Sequence, residues 1–117
     1  MAWTAEESDA FLDDLEAIAD HLFRSHMSFG HGEADAAEAS LARIHAIRER
    51  AWALIDTPHI GTRHDDIRPG LRHVTFDRAI YWFTLDEDRR ILRLVGVFQG
   101  SQDHLGWMLK RLMAEGG

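Results

Sequence analysis

The first half of the chain has the apolar spacing of two amphipathic helices. From about residue 5 to 24, apolar side chains recur every three or four positions and form one stripe: Phe11, Leu15, Ile18 and Leu22. The hydroxyl of Thr4 and the carboxylate of Glu7 fit a capping box, which predicts that this helix begins there. A second stripe follows the connector 24–33 and predicts a helix that ends before Pro58, because proline disfavours helical geometry in the preceding residue. Two long helices joined by a short connector predict an antiparallel hairpin.

From residue 60 onwards, the chain changes to short apolar runs separated by turn residues. Three runs predict strands, at Leu71–Phe76, Ala79–Leu85 and Ile91–Phe98. The short turns between them predict a consecutive antiparallel meander, to which Met1–Trp3 is expected to add a very short strand. The remaining segment predicts a short C-terminal helix that Ser101 caps.

These elements predict one α+β domain spanning residues 1–117. The N-terminal helical hairpin is expected to pack on one face of a small antiparallel sheet, and the short C-terminal helix follows the sheet. A chain of 117 residues suits a single hydrophobic core, and no repeat or linker divides it.

Charge changes the picture of which partners to expect. The chain has a net charge of −7, with −9 in residues 1–67 and +2 in residues 68–117. The acidic total argues against strong nucleic-acid binding, which depends on neutralising phosphates, and leaves the second half as the place where an acidic partner could dock. No apolar run approaches the roughly 18 residues of a membrane span, and the acidic N-terminus lacks the features of a signal peptide. A cytoplasmic protein without membrane contact is therefore expected.

Cofactor and metal sites are not predicted. The chain contains no cysteine, and none of its eight histidines has the i, i+4 spacing of a helical zinc site. No glycine-rich phosphate loop and no Gly-x-Ser-x-Gly nucleophile elbow is present.

Two arginines lie within the predicted strands and require an explanation. Strict alternation places Arg93 on a sheet face with apolar neighbours, and Arg72 has the same problem in the first strand of the meander. A buried unpaired charge would cost several kcal/mol. Either Arg93 pairs with an acid such as Asp77 or Asp103 and fastens the sheet, or the two arginines line a polar surface for a partner, on the side away from the hairpin. Both interpretations stay open at this point.

The segment "IRPGLRHVTFDRAIYWFTLDEDRRILRLVGVFQGSQD" resembles the RelE/ParE toxin superfamily, and ParE plasmid-stabilisation toxins more than RelE. The opening "TAEESDAFLDDLEAIADHL" is similar to the first helix of that family, with Asp14-Leu15 and Ile18 in register. The other matching features are, in chain order, Pro58 and Gly61 after the hairpin, the run Arg68 to Arg72, Arg78 before Ile80-Tyr81, and Arg93 through Asp103.

The chain departs from the family at its nuclease residues. The customary "HGRRD" is replaced by Gln99-Gly100-Ser101-Gln102-Asp103, and the only lysine in the chain is Lys110. The helix that follows offers His104 and Trp107 instead. RNA cleavage needs groups that protonate the leaving group and stabilise the charged transition state, so no catalytic residue is predicted.

The resemblance implies a toxin of a type II toxin–antitoxin system, with DNA gyrase as the target. It implies a cognate antitoxin, a small DNA-binding protein with an extended tail, and a homodimer or a heterotetramer with that antitoxin. The alternatives are a RelE-like, ribosome-dependent mRNA endonuclease and a degenerate, non-toxic member that acts only as a binding module. The candidate residues for binding the target or the antitoxin are Arg72, Arg78, Tyr81, Arg93, His104 and Trp107.

Overall fold

The computed structural model describes residues 2–100 and 103–115, and it confirms the predicted α+β class. The helices are α1 (Asp9–Ser28), α2 (Glu33–Trp52) and α3 (His104–Ala114), with one 3-10 turn at Ala53–Asp56. The strands are β1 (Thr4–Glu7), β2 (Thr62–Arg63), β3 (Leu71–Phe76), β4 (Ala79–Asp86) and β5 (Ile91–Gln99). They form one sheet in the order β1-β5-β4-β3-β2. Among the residues described, no helix is long and apolar enough to cross a membrane.

The N-terminal strand differs from the prediction in position and direction. It occupies Thr4–Glu7 rather than Met1–Trp3, of which Met1 lies outside the described residues. It pairs in parallel with β5, with Ala5 opposite Leu92. The meander β3-β4-β5 is antiparallel as predicted, so the complete sheet is mixed.

The start of α1 also differs from the prediction, because the capping box at Thr4 and Glu7 does not form. Those residues belong to β1, and the side chain of Ser8 caps the helix by accepting the backbone N–H of Phe11 at 3.1 Å. The carboxylate of Glu7 instead accepts hydrogen bonds from Arg48 and from the indole N–H of Trp52. Pairing across the fold therefore outweighs the local capping signal.

The two faces of the sheet carry separate apolar clusters. The helical hairpin covers one face, as predicted, and there α1 and α2 pack Phe11 and Ile47 against Phe83 and Leu94. The other face was expected to be an open polar surface. This expectation is wrong, because α3 packs there against the buried indole of Trp82 and continues the core.

A β-bulge in β5 changes which residues share a face. Trp82 lies opposite Gly96 and Phe83 opposite Leu94, so Val95 has no partner on β4. Beyond Val95 the predicted alternation is therefore wrong, and Val97 joins the cluster on the hairpin face.

The two arginines within the strands lie on opposite faces of the sheet. Arg72 lies opposite Phe83 on the hairpin face, whereas Arg93 lies opposite Thr84 on the α3 face. The prediction that Arg72 and Arg93 share one surface is wrong.

The C-terminal helix begins at His104. Its cap is Asp103, whose carboxylate accepts the backbone N–H of Gly106 at 3.0 Å. The predicted cap, Ser101, lies outside the described residues.

Candidate binding cleft

A cleft of about 570 Å³ opens beside the last residues of β5. Because β1 pairs with residues 91–94, the rest of β5 has no strand on that side within the described part of the chain. The helices α1 and α3 form the two walls. The polar and aromatic residues that line the cleft are Asp14, His21, Arg78, Phe98, Gln99, Trp107 and Arg111.

An ion pair between α1 and α3 forms the floor of this cleft. Arg111 donates to both carboxylate oxygens of Asp14, at 2.8 and 2.9 Å. Asp14 also accepts the backbone N–H of Val97 at 3.0 Å, and Arg111 donates to the carbonyl of Val95 at 3.0 Å. The hydrogen bonds to Asp14 raise the pKa of Arg111 further above its ordinary value. The pair therefore satisfies one N–H and one carbonyl on the open edge of β5.

Arg78 stands at the rim of the cleft with an unusual backbone. It is the second residue of the turn between β3 and β4, in which Asp77 and Arg78 have φ values of 48° and 67°. Both positions favour glycine or asparagine, so an arginine there is uncommon. Its side chain is exposed, and it forms no ion pair within residues 2–100 and 103–115.

An aromatic side chain accompanies this cation. Trp107 lies on the outer side of α3 and is 56% exposed. The amine of Lys110 lies 5.8 Å from the centre of its ring. The cleft thus offers a free guanidinium, the amide of Gln99 and an indole face, which together suit an anionic group attached to an apolar or planar one.

A cluster of histidines lies at the start of α3, on the face of the sheet that α3 covers. His64 and His73 share a hydrogen bond of 2.7 Å between Nε2 and Nδ1, and the indole N–H of Trp82 donates to Nδ1 of His104 at 3.2 Å. Burial, with smaller contributions from His104 and His64, lowers the pKa of His73 from 6.5 to about 4. In the described part of the chain, no three His, Asp or Glu side chains are placed to hold a metal ion.

The structure brings only some of the predicted binding residues together. Arg78 and Trp107 line the cleft, and His104 lies one turn before Trp107 on α3. Arg93 lies in a separate groove of about 460 Å³, where it pairs with Glu6 at 3.2 Å. The expected partners of Arg93, Asp77 and Asp103, are therefore not the ones it uses.

Two predicted residues do not line the cleft. Arg72 donates to the backbone carbonyl of His59 at 2.8 Å on the hairpin side. Tyr81 is only 2% exposed and belongs to the core, and burial raises the pKa of its phenol.

Sequence reasoning missed the floor of the cleft. Asp14 and Arg111 are 97 residues apart in the chain, and each stands among other charged residues of an amphipathic helix. No local pattern distinguishes this pair from ordinary surface charges.

The sequence matches no protein-family model and no curated protein. The fold, however, is similar to several solved structures. One is a chain of the chromosomal ParDE toxin–antitoxin system from P. aeruginosa, with a TM-score of 0.63 and 16% identity over 86% of this chain and 98% of that chain. Another is from the toxin–antitoxin complex RelBE2 of Mycobacterium tuberculosis, with a TM-score of 0.57 and 10% identity over 87% of this chain and 95% of that one.

The isolated E. coli RelE toxin is a third similar structure. Its TM-score is 0.50, with 8% identity over 95% of this chain and 99% of the RelE chain. At these identities the likeness concerns the fold. The chain therefore has the fold of the RelE/ParE-like toxins.

Proposed function

We propose that this chain is the toxin of a type II toxin–antitoxin pair and that it acts by binding a cellular macromolecule. The observation that carries the proposal is the likeness in fold over 86% of this chain and 98% of the chain from the ParDE system. The same likeness supports an antitoxin partner, a small DNA-binding protein whose extended tail covers the toxin. A homodimer, or a heterotetramer with the antitoxin, and a cytoplasmic site of action belong to this proposal.

The chemistry of the cleft favours binding over RNA cleavage. Cleavage needs a positioned acid or base and cations free to stabilise the charge that develops on phosphate. Here Arg111 is held by Asp14 and by the carbonyl of Val95, and the amine of Lys110 lies near the ring of Trp107. Arg78 is the cation that remains available in the described part of the cleft. Together with the ParE-like sequence motifs, this favours DNA gyrase as the target over the ribosome.

Arg78 is the residue most directly expected to contact the partner. A non-glycine residue in the left-handed region carries a backbone cost, and such strain is often found at functional sites. The arginine side chain lies at the rim beside the exposed ring of Trp107. A partner with a carboxylate or phosphate next to an apolar group would fit this pair.

Expression of the chain alone, compared with co-expression of the neighbouring reading frame, tests the toxin role. We expect growth arrest that the neighbouring product relieves, and accumulation of relaxed plasmid in a supercoiling assay with purified gyrase. Primer extension on cellular mRNA should show no cuts within codons. Such cuts would favour the RelE-like endonuclease instead, and unimpaired growth with soluble expression would favour a non-toxic binding module.

Two glycine variants of one turn test the role of Arg78. Arg78→Gly and Asp77→Gly both relieve a left-handed backbone position, but only the first removes a side chain that lines the cleft. We expect Arg78→Gly to keep or raise the melting temperature and to lose toxicity, whereas Asp77→Gly keeps toxicity. If both variants remain fully toxic, the cleft is not the working surface.

A further inference from the structure

Three imidazoles and one indole from four different segments form one cluster of contacting rings, called the stack here, in which His104 meets His73 edge-on. His64 follows β2, His73 lies on β3, Trp82 lies on β4 and His104 begins α3. The ring of His73 has its centre 4.9 Å from those of His64 and His104, and 4.8 Å from that of Trp82. This stack joins the N-terminal end of α3 to the sheet.

One hydrogen bond of the stack requires an unprotonated Nδ1 on His104, and another requires at least one neutral ring in the His64–His73 pair. Nδ1 of His104 accepts the indole N–H of Trp82, and an imidazole that is protonated at that nitrogen cannot accept. One ring of the His64–His73 pair must also accept, so it must carry a lone pair at that position. Two charged rings with centres 4.9 Å apart would in addition repel each other.

No neighbouring carboxylate compensates for a proton on His73. Within the described residues, the charges that act on this ring are those of His64 and His104, and β4 presents the neutral Trp82. Asp65, next to His64, is bonded to Arg63 and to the backbone N–H of Gly70. Asp103, next to His104, is bonded to the N–H of Gly106 as the helix cap. Among the described residues, a proton on His73 therefore meets no carboxylate partner.

The rest of α3 has a separate attachment. Arg111 holds the helix to Asp14 on α1 about two turns after His104, and Arg111 stays charged at any pH near neutrality. Loss of the stack would therefore free the first turn of α3, while Arg111 and the buried Met108 keep its second half in place. That first turn carries Trp107, part of one wall of the cleft.

We propose that His64, His73 and His104 form a pH-sensitive latch that holds the N-terminal end of α3 on the sheet at neutral pH and releases it in mildly acidic solution. Release exposes Trp82 and opens the cleft from the α3 side. The sign follows from linkage: the pKa of His73 in the folded protein, about 4, lies below its ordinary value of 6.5, so the docked state loses stability as pH falls from 6.5 towards 4. The latch does not depend on the proposed toxin role.

Hydrogen exchange of the whole chain at about pH 7.5 and about pH 5, corrected for the intrinsic pH dependence of exchange, tests the latch. We expect the opening equilibrium of the amides in residues 104–109 to rise on the order of tenfold at the lower pH, because the partly solvated ring feels only part of the full effect. The amides of β4 should keep their protection.

Asparagine variants identify the groups responsible. The amide of asparagine places an oxygen near the position of Nδ1, so His73→Asn with His104→Asn keeps an acceptor for Trp82 but removes two imidazoles. We expect this double variant to lose the tenfold response. The control His45→Gln changes an exposed histidine on α2 outside the stack and should keep the response.

Three results would overturn the proposal: unchanged protection of α3 in the wild type, equal loss of protection in α3 and β4, or a full response in the double variant. If the double variant does not fold, the indole N–H signal of Trp82 in an NMR titration of the wild type decides. It should shift or broaden together with the amides of residues 104–109, and an invariant signal would contradict the latch.

Discussion

Two arginine–carboxylate pairs lie along strand β5, and they differ in the number of their contacts and in their exposure to solvent. Arg93, on β5 itself, meets Glu6 of β1 through one contact of 3.2 Å, with side chains 50% and 45% exposed. Arg111 meets Asp14 beside the bulge of β5 through two contacts, with side chains 23% and 13% exposed. The second pair also satisfies two backbone groups of β5. The arginine that is anomalous in the sequence is thus weakly held, whereas no local sequence pattern distinguishes the arginine that fastens α1, β5 and α3 together.

The largest expected effect comes from breaking the Asp14–Arg111 pair. Asp14→Ala leaves a partly buried guanidinium and the N–H of Val97 without their acceptor, and it should lower the free energy of unfolding by about 3 kcal/mol. Urea denaturation measures this change. The neighbouring Asp13→Ala, an exposed position of α1, is the matched control and should stay within about 0.5 kcal/mol.

The same pair can be tested by removing both charges. Asp14→Ala with Arg111→Met should be less destabilising than the sum of the two single changes, because no charge is left without its partner. If Asp14→Ala is no worse than Asp13→Ala, the contrast between the two arginines disappears.

The next largest effect concerns the close approach of α3 to the bulge. A Cβ at Gly96 would lie 2.7 Å from Nη1 of Arg111 and 2.9 Å from the terminal methyl of Met108. Gly96→Ala should therefore lower the free energy of unfolding by about 2 kcal/mol, as overpacking does. Gly32→Ala is the control, since a Cβ there meets nothing within 4 Å. In thermal unfolding, Gly96→Ala should have the lower melting temperature of the two variants. Equal melting temperatures would show that α3 can move away from β5 without cost.

The sequence predicts those parts of the fold that depend on local periodicity. The stripes of α1 and α2 and the meander from Leu71 to Phe98 each lie within a short stretch, and the structure confirms them. The segment Thr4–Glu7 carries a capping signature but forms a strand, because its partner at Ile91–Leu94 is distant in the chain. Local signals do not reveal such pairing.

The candidate site was less predictable for a related reason. Both faces of β5 are apolar, so the sequence has no contrast that would reveal the extra residue at Val95. The register of β3, β4 and β5 places Arg72 and Arg93 on opposite faces, and a long-range ion pair forms the floor of the cleft. The family resemblance made Arg78 and Trp107 candidate binding residues, and both line the cleft; that they bind a partner stays a prediction.

A third pair, Glu7 with Arg48, is intermediate between the other two and depends on pH. The carboxylate of Glu7 accepts from Nε of Arg48 at 2.6 Å and from the indole of Trp52 at 3.1 Å, and the hydrogen bond from Arg48 lowers the pKa of Glu7 below its ordinary value of 4.5. Glu7→Gln should lower the free energy of unfolding by about 1 kcal/mol at neutral pH, since Arg48 is half-exposed and solvent screens the pair.

The sign of the pH dependence tests this assignment. Because the folded pKa of Glu7 is below 4.5, its contribution is present above that pH and fades as pH falls further. Melting curves of wild type and Glu7→Gln should therefore converge in acid, whereas Glu16→Gln, an exposed change on α1, should follow the wild type throughout. Curves that stay parallel would mean that Glu7 acts through packing and not through its charge.

The smallest expected effect is that of Arg93, and it decides what this arginine is for. Its single contact with Glu6 is half-exposed, and pairs of that kind contribute about 0 to 1 kcal/mol. Arg93→Met should therefore change the free energy of unfolding by less than about 1 kcal/mol, with Glu6→Gln as the matching change on the other side. If toxicity or antitoxin binding nevertheless falls in Arg93→Met, the groove that Arg93 shares with Arg68 and Arg89 is a second contact surface beside the cleft. If Arg93→Met instead lowers the free energy of unfolding by about 3 kcal/mol, as expected for Asp14→Ala, then Arg93 stabilises the sheet, and its pair with Glu6 is as strong as the pair of Arg111 with Asp14.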